Sequence, residues 1–227
     1  MAFIFTHCWI ANLVLKKLKK KQFISSFENI DDYFFGSIAP DIRYISNAAR
    51  AITHEPKKEE SIFEALKMNR TSISFIAGYE THLITDMAWS NDKNWLDKSI
   101  YDYYQINPNV PIQKFTLYAL VDDYFQTEAD WFFPLICAGN ILRSNDTMIL
   151  EKLGFNKEDI QTYKYLASLY LREPGIDTIN IFNFMPNKLD EVLVRTFLGR
   201  KSSLTNFLKE FKKTAVEQCI IKLEKYI

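Results

Sequence analysis

Helix breakers are scarce along this chain, and their scarcity limits the folds open to it more than any other feature. Its 227 residues include only 6 glycines and 7 prolines. Few breakers, together with many Leu, Ile, Lys and Glu residues, favour helices. No segment alternates apolar and polar residues with the period of a strand over any length. The sequence therefore predicts an all-α protein.

Composition limits the size and the partners of this protein. With 48% hydrophobic residues, the chain can bury one sizeable core, so we expect a single helical domain over 1–227. Its 28 basic and 28 acidic residues cancel, and no net field draws it to nucleic acid. We therefore predict no specific nucleic-acid partner, and at most peripheral membrane contact through the lysines of KKLKKK.

The cysteines and the first residues bear on location. Cys8, Cys137 and Cys219 are odd in number and show no C-x-x-C spacing, which is typical of a reducing compartment. The first apolar run precedes its positive charges, the reverse of a secretory signal, and is too short to span a membrane. We expect a cytoplasmic protein.

Periodicity predicts several long helices. The first runs from His7 to about Lys20, with Thr6 as its N-cap. The most apolar segment, SISFIAGYETHLITDMAWS, is predicted to be a buried helix in which Gly78 lets another element pack closely. Further helices are predicted at 94–104, 111–125, 128–142, 157–171 and from 188 to the end.

The stretch GSIAPDIR interrupts this helical pattern. Gly36 and Pro40 break helices, Asp41 is a common turn residue, and Pro40 disfavours helical geometry at Ala39. Two interpretations remain open: an ordinary turn between helices, or a rigid turn that holds the carboxylate of Asp41 at a fixed angle.

All three histidines of the chain follow a threonine, in THCW, THEP and THLI. His82 and Asp86 are spaced i and i+4, so they share a helix face and could chelate one ion. A charged Asp in the most apolar helix is costly unless it is paired or metal-bound. The alternatives are a hydrogen-bonded core histidine and an Asp–His or Asp–Arg ion pair.

Histidines and aspartates near the ends of other predicted elements can be added to His82 and Asp86 to give a mixed ligand set. It consists of His7, Asp41, His54, His82 and Asp86. Nitrogen and oxygen ligands in such a mixture suit Zn²⁺, with Mn²⁺ and Fe²⁺ as alternatives.

In four segments the chain resembles the zinc-dependent phospholipase C family of bacteria and archaea. The segments are FTHCWIAN, FFGSIAPDIR, RAITHE and FIAGYETHLITDMAW. They occur in that order within residues 1–95 and contain all three histidines. The resemblance implies an all-α helical bundle around a cleft that holds one to three zinc ions.

The resemblance also implies roles for individual residues. Asp41, His54, His82 and Asp86 match the ligands of one metal ion. His7 matches a ligand of a second ion, with Asp86 bridging the two. Secreted members complete that second site with an N-terminal tryptophan, whereas this chain begins Met-Ala.

A further metal site of the secreted members has no full counterpart here. They use a histidine after the H-x-x-x-D helix and then an H-x-x-x-E pair, but this chain has no fourth histidine. Asp92 and residues 118–123 fall near those positions, so Asp92, Asp122 and Asp123 could form an oxygen-only site. The alternatives are that the site is absent, or that Asp122 and Asp123 form a solvated face or an ion pair with Arg43 or Arg50.

The function implied is hydrolysis of a phosphoester, in particular a phosphodiester such as a phospholipid, by metal-activated water. Asp41 is the first candidate for the carboxylate that orients this water, and Glu55 is the second. The alternatives are a metal-dependent enzyme of other chemistry, such as an iron or manganese nuclease, phosphatase or oxidoreductase, and a non-catalytic metal-binding module. The oligomeric state is not indicated.

Overall fold

A computed structural model describes residues 4–21, 29–46, 48–54, 73–91, 121–122, 124–172 and 204–224. Every regular element in these ranges is helical, so the predicted all-α class is confirmed. Within them no helix is long and apolar enough to cross a bilayer. The helices predicted at 94–104, and most of those predicted from 111 and from 188, lie outside the described residues.

Within the described ranges, nine α-helices and one short 3₁₀ helix have defined bounds, and residues 121–122 and 124–128 are also helical. The elements with defined bounds are α1 (Ile4–Lys20), α2 (Ile30–Gly36), the 3₁₀ helix (Ala39–Ile42), α3 (Arg43–Ser46), α4 (Arg50–Thr53), α5 (Ile73–Asn91), α6 (Phe133–Arg143), α7 (Met148–Lys152), α8 (Lys157–Arg172) and α9 (Leu204–Leu223).

The first helix begins earlier than its sequence predicts. It starts at Ile4 instead of His7, and Thr6 lies inside it and does not cap it. The cap comes instead from Asp122, whose carboxylate accepts hydrogen bonds from the backbone N–H groups of Phe5 at 3.1 Å and Thr6 at 2.8 Å. A cap supplied by a side chain so distant in sequence leaves no local signal.

Two other elements differ from or add to the predictions. α6 begins at Phe133, not at residue 128, because a bend and a turn occupy residues 129–132 and Pro134 stands in the first turn of the helix. α7 was not predicted, since its 5 residues are too few to show a period. α8 matches its predicted range within one residue.

Helix α5 lies at the centre of the described part of the molecule. It packs against α2, α9 and α1, and α6 packs against α2 and α8. The core between these helices is rich in aromatic side chains. The fully buried ones include Phe5, Tyr33, Phe35, Phe75, Tyr79, Phe125, Tyr163 and Phe211.

The contact between α2 and α5 depends on a pair of glycines. A Cβ atom on Gly78 would overlap the carbonyl oxygen of Tyr33, and one on Gly36 would overlap that of Phe75. The two backbones therefore approach at distances that only glycine permits. The close packing predicted at Gly78 is confirmed.

Substituting Gly78 with alanine should be strongly destabilising. The added methyl group has to push α2 away from α5, so we expect Gly78→Ala to lower the free energy of unfolding by about 1–3 kcal/mol. Urea denaturation measures this change.

Gly139→Ala is the matched control. The only side chain near a Cβ there is the flexible end of Arg143, and alanine favours a helix interior by up to about 1 kcal/mol. Equal destabilisation by the two substitutions would contradict the close approach at Gly78.

Candidate metal centre

The five residues of the predicted ligand set meet at one buried point. His7 comes from α1, Asp41 from the 3₁₀ helix, His54 from the end of α4, and His82 and Asp86 from α5. All five side chains are buried. Residues far apart in sequence thus converge where a mixed nitrogen and oxygen site was predicted.

Local structure explains how Asp41 reaches this point. α2 ends at Gly36, and residues 39–42 form a 3₁₀ helix in which Pro40 occupies the first turn, where its missing N–H costs nothing. The turn is therefore a tight helical one. Pro40 was expected to keep Ala39 out of helical geometry, but Ala39 is the first residue of this 3₁₀ helix. Asp41 is 3% exposed, so its carboxylate is directed inward.

Four of the groups are spaced like the ligands of a single ion. His54 Nε2 lies 3.2 Å from His82 Nε2, 3.4 Å from Asp86 Oδ2 and 3.7 Å from Asp41 Oδ1. His82 Nε2 lies 3.9 Å from the same Asp41 oxygen. With Zn–N distances near 2.0–2.1 Å, ligand atoms of a tetrahedral zinc ion are about 3.3 Å apart. The four observed separations, from 3.2 to 3.9 Å, are close to this value or slightly wider.

The carboxylate of Asp86 faces two ways. Its Oδ2 atom is directed to His54, while Oδ1 lies 3.6 Å from Nε2 of His7. The His7 ring stacks on that of His82, with centroids 3.7 Å apart and planes 15° apart. His7 Nε2 is also 4.0 Å from Asp41 Oδ2. This arrangement is the one that a bridging Asp86 requires.

Hydrogen bonds orient the two histidines nearest each other. His82 Nδ1 lies 2.9 Å from the carbonyl oxygen of Ser37, which only accepts, so Nδ1 carries the proton and Nε2 presents a lone pair. His54 Nδ1 lies 2.8 Å from the Thr53 hydroxyl, which can hold the same tautomer. In that tautomer the lone pairs of His54 and His82 face each other, an arrangement that a cation stabilises, whereas in the other tautomer His54 Nε2 donates to Asp86 Oδ2.

Burial and charge set the protonation of the cluster. Burial, and then the charge of Asp86, raise the pKa of Asp41 well above its ordinary value. Burial also acts to raise the pKa of Asp86, but hydrogen bonding to His54 and the charges of His82 and His7 hold it well below. Burial lowers the pKa of both His54 and His82, which favours the neutral imidazole that binds metals.

These observations fit a transition-metal site. Two triads have ligand atoms within 4.8 Å of one another: His7, Asp41 and His82, and His54, His82 and Asp86. Asp41 Oδ1 is buried and accepts no hydrogen bond from the described residues, a costly state for a carboxylate oxygen in the absence of a cation. The donor set of imidazoles and carboxylates suits zinc, and also manganese or iron.

Arg50 is a further member of this site, and it supplies the Asp–Arg ion pair that the sequence left open as an alternative for Asp86. Its Nη2 atom lies 3.2 Å from Asp86 Oδ2, and its side chain is 36% exposed. The guanidinium therefore connects the buried cluster to the solvent-facing side. The run RAITH showed only the histidine, because an arginine in a short helix is ordinarily a surface residue.

A cleft of about 580 Å³ opens over the cluster. Arg50, His54 and Asp86 lie at its inner end. Its other walls come from α5 and α9, and they comprise Glu80, Leu83, Ile84, Met87, Gln218, Ile221 and Lys222. Burial raises the pKa of Glu80 to about 7, and the positive charge of Lys222 opposes this rise.

Tyrosine hydroxyls hold the backbone beside two of the ligands. Tyr79 donates to the carbonyl of Thr53 at 2.6 Å, next to His54. Tyr163 of α8 donates to the carbonyl of Ile38 at 2.7 Å, in the turn before Asp41. Neither could be distinguished from an ordinary core aromatic in the sequence.

The structure gives Asp122 partners other than those expected for a metal ligand. Besides the two backbone donors that it caps, the carboxylate accepts hydrogen bonds from the hydroxyls of Thr6 and Tyr170. A carboxylate with this many donors is a structural cap of α1 and is not brought into the His/Asp cluster. Glu55, Asp92 and Asp123 lie outside the described residues.

Substitution of the two aspartates should separate metal binding from capping. We expect Asp86→Asn to lose zinc, because the amide is a poor ligand at the shared position. Asp122→Asn should keep its zinc but unfold more easily, by about 1–3 kcal/mol, since an NH₂ group would then face other donors. Metal analysis after dialysis and thermal unfolding measure both. Equal zinc content in the two variants would refute the bridging role of Asp86.

Removing one tyrosine hydroxyl should weaken metal binding. Tyr163→Phe releases the turn that presents Asp41, and loss of such supporting hydrogen bonds typically costs about tenfold or more in metal affinity. Competition with a zinc chelator dye measures the affinity. Tyr165→Phe, at an exposed position of the same helix, is the control, and indistinguishable affinities would show that Tyr163 only fills the core.

The comparisons with known proteins bear on the same residues. No curated protein and no solved structure matches this chain. The model of the zinc-dependent phospholipase C family matches residues 6–114, slightly less than half of the chain. This segment contains every residue of the buried His/Asp cluster. The resemblance predicted from the four motifs is thus confirmed, and residues 6–114 are those of a zinc-dependent phospholipase C-like sequence.

Proposed function

We propose that this protein is a metal-dependent hydrolase of phosphoesters, and that its substrates are phosphodiesters such as phospholipids. The observation that carries the proposal is the convergence of Asp41, His54, His82 and Asp86 at ligand spacing beneath an open cleft. The family match over the same residues supports it. The predictions of a single domain over 1–227 and of a cytoplasmic location are kept as part of this proposal.

The residues fit one principal ion and a second beside it. Asp41, His54, His82 and Asp86 would hold the first, and His7 with the other oxygen of Asp86 would contribute to the second. We propose zinc, with manganese or iron as alternatives. When bound, zinc would supply Lewis acidity toward a phosphoester oxygen and would lower the pKa of a water molecule.

Acidic groups of the chain would orient the attacking water. Asp41 is our first candidate, because the 3₁₀ helix fixes its buried carboxylate beside the cluster. A positioned carboxylate can hold the water in line with the phosphorus and accept its proton. Glu55 follows His54 in sequence and is proposed as the alternative.

The cleft supplies groups that suit the rest of a phosphoester. Arg50 at its inner end can donate hydrogen bonds to phosphate oxygens, which guanidinium groups bind in a fork. Leu83, Ile84, Met87 and Ile221 form an apolar wall beside it, which suits the hydrocarbon part of a lipid. Polar and apolar parts of one substrate would thus find complementary surfaces.

Loss of a ligand should abolish hydrolysis. We expect the zinc-loaded protein to cleave bis(4-nitrophenyl) phosphate or a short-chain phosphatidylcholine, and His82→Ala and Asp41→Ala to fall to the rate of metal-free protein. A chelator should remove the activity and added zinc should restore it. Release of nitrophenol or of phosphorylated headgroup measures the rate.

Lys157→Ala, at an exposed position far along the chain, is the control and should keep full activity. If no substrate is cleaved while both ligand variants melt at lower temperature, the metal is structural. Two iron ions per chain in protein purified without added metal would contradict zinc and favour oxidoreductase chemistry.

A further inference from the structure

Helix α6 is apolar on both of its faces. Phe133, Cys137 and Ile141 are buried in the core, while on the opposite side Leu135 and Ile136 are 49% and 52% exposed. A helix that is hydrophobic all round is ordinarily buried on all sides. None of the described residues therefore covers the outer face of α6, although a face of this composition is ordinarily buried.

The exposed face extends beyond the helix. Trp131, in the turn before α6, is 82% exposed, and Phe132 beside it is 45% exposed, with their rings packed edge to face at 5.8 Å. Ile30 at the start of α2 continues the same face. We call the set formed by Ile30, Trp131, Phe132, Leu135 and Ile136 the α6 apolar surface. Contiguous exposure of this kind marks an interaction site.

Lysines of α1 border this surface. A groove of about 260 Å³ is lined by Phe132 and Ile136 on one side and by Lys16 and Lys19 on the other. The groove also contains one acidic side chain among the described residues, Asp130.

Other charges nearby do not cancel the lysines. Asp31 of α2 is engaged by Arg143 through two hydrogen bonds of 3.0 Å, and Lys17 and Lys20 add exposed positive charge to the same end of α1. Among the described residues, the border of the surface is therefore basic.

We propose that the α6 apolar surface docks on an anionic lipid bilayer. Trp131 and its apolar neighbours would enter the boundary between headgroups and acyl chains, where aromatic rings are favoured. Lys16 and Lys19 would contact lipid phosphates while their stems cover apolar area. A second copy of the chain fits less well, because a twofold contact would bring the two sets of lysines together.

This surface is separate from the cleft. It is formed by α2, α6 and the turn before α6, with α1 at its border, whereas the cleft is lined by α4, α5 and α9. Docking therefore requires neither the metal nor hydrolysis, and the inference goes beyond the proposed function.

Flotation with lipid vesicles tests the docking. We expect the protein as purified to bind vesicles of phosphatidylcholine and phosphatidylglycerol (7:3) at least about tenfold more tightly than vesicles of phosphatidylcholine alone, and to dissociate as salt increases. Leu135→Ser/Ile136→Ser and Lys16→Glu/Lys19→Glu should each weaken binding at least about tenfold. Tryptophan emission should shift to shorter wavelength on binding, and Trp131→Phe should abolish most of this shift.

Matched controls carry the same changes elsewhere on the surface. Lys152→Glu/Lys157→Glu and Tyr165→Ser alter exposed positions of α7 and α8 and should bind like the wild type. His82→Ala should also float normally, so that docking and hydrolysis can fail separately.

Three results would overturn the proposal. They are no preference for the anionic vesicles, unchanged binding of Leu135→Ser/Ile136→Ser, and a dimer in solution that this double variant converts to a monomer without any vesicle binding. The last result would assign the surface to a second copy of the chain.

Discussion

The close contact of α2 with α5 is the constraint on which the site depends. Gly36 and Gly78 bring the two backbones together, and this approach places the carbonyl of Ser37 2.9 Å from His82 Nδ1. That hydrogen bond directs His82 Nε2 into the cluster. It also ties α5 to the segment that turns, within four residues, to present Asp41. Two ligands from different helices are thus positioned by one backbone contact.

The His/Asp cluster is buried, and its stability depends on how its charges are matched. Two carboxylates lie within 4 Å of histidine nitrogens in a buried site. Without a cation, both cannot stay ionised there at low cost. The pKa of Asp41 is raised and that of Asp86 is lowered, so without a metal Asp41 tends to hold a proton while Asp86 stays ionised. A divalent cation would allow both carboxylates to ionise, so we expect metal binding to release the proton of Asp41.

The sequence predicted the ligand set because those residues carry local signals. His82 and Asp86 share a helix face by spacing alone, and the Gly-Pro turn marked Asp41. The supporting groups carry no such signal. Asp122 and Tyr170 anchor the start of α1, and Tyr163 holds the Asp41 turn, through contacts that span more than a hundred residues or join separate helices. Only a folded chain reveals them. For the same reason the start of α1 was placed at His7 in place of Ile4.

The candidate ligands and the groups that support them come from different parts of the chain. The matched segment, residues 6–114, supplies the candidate ligands. Helix α8 supplies hydroxyl groups that hold the Asp41 turn and the Asp122 cap of α1, and α9 supplies a wall of the cleft. The later helices are thus more than packing around a self-sufficient motif. A shortened chain that ends after the matched segment would lose these supports.

We propose that one transition-metal ion binds among Asp41, His54, His82 and Asp86. A crystal structure of the zinc-loaded protein with anomalous diffraction at the zinc edge tests it most directly. We predict an anomalous peak at about 2.0–2.2 Å from Nε2 of both histidines and from an oxygen of both aspartates. Zinc found only at other residues, or no anomalous peak among these four in a zinc-saturated crystal, would contradict the account.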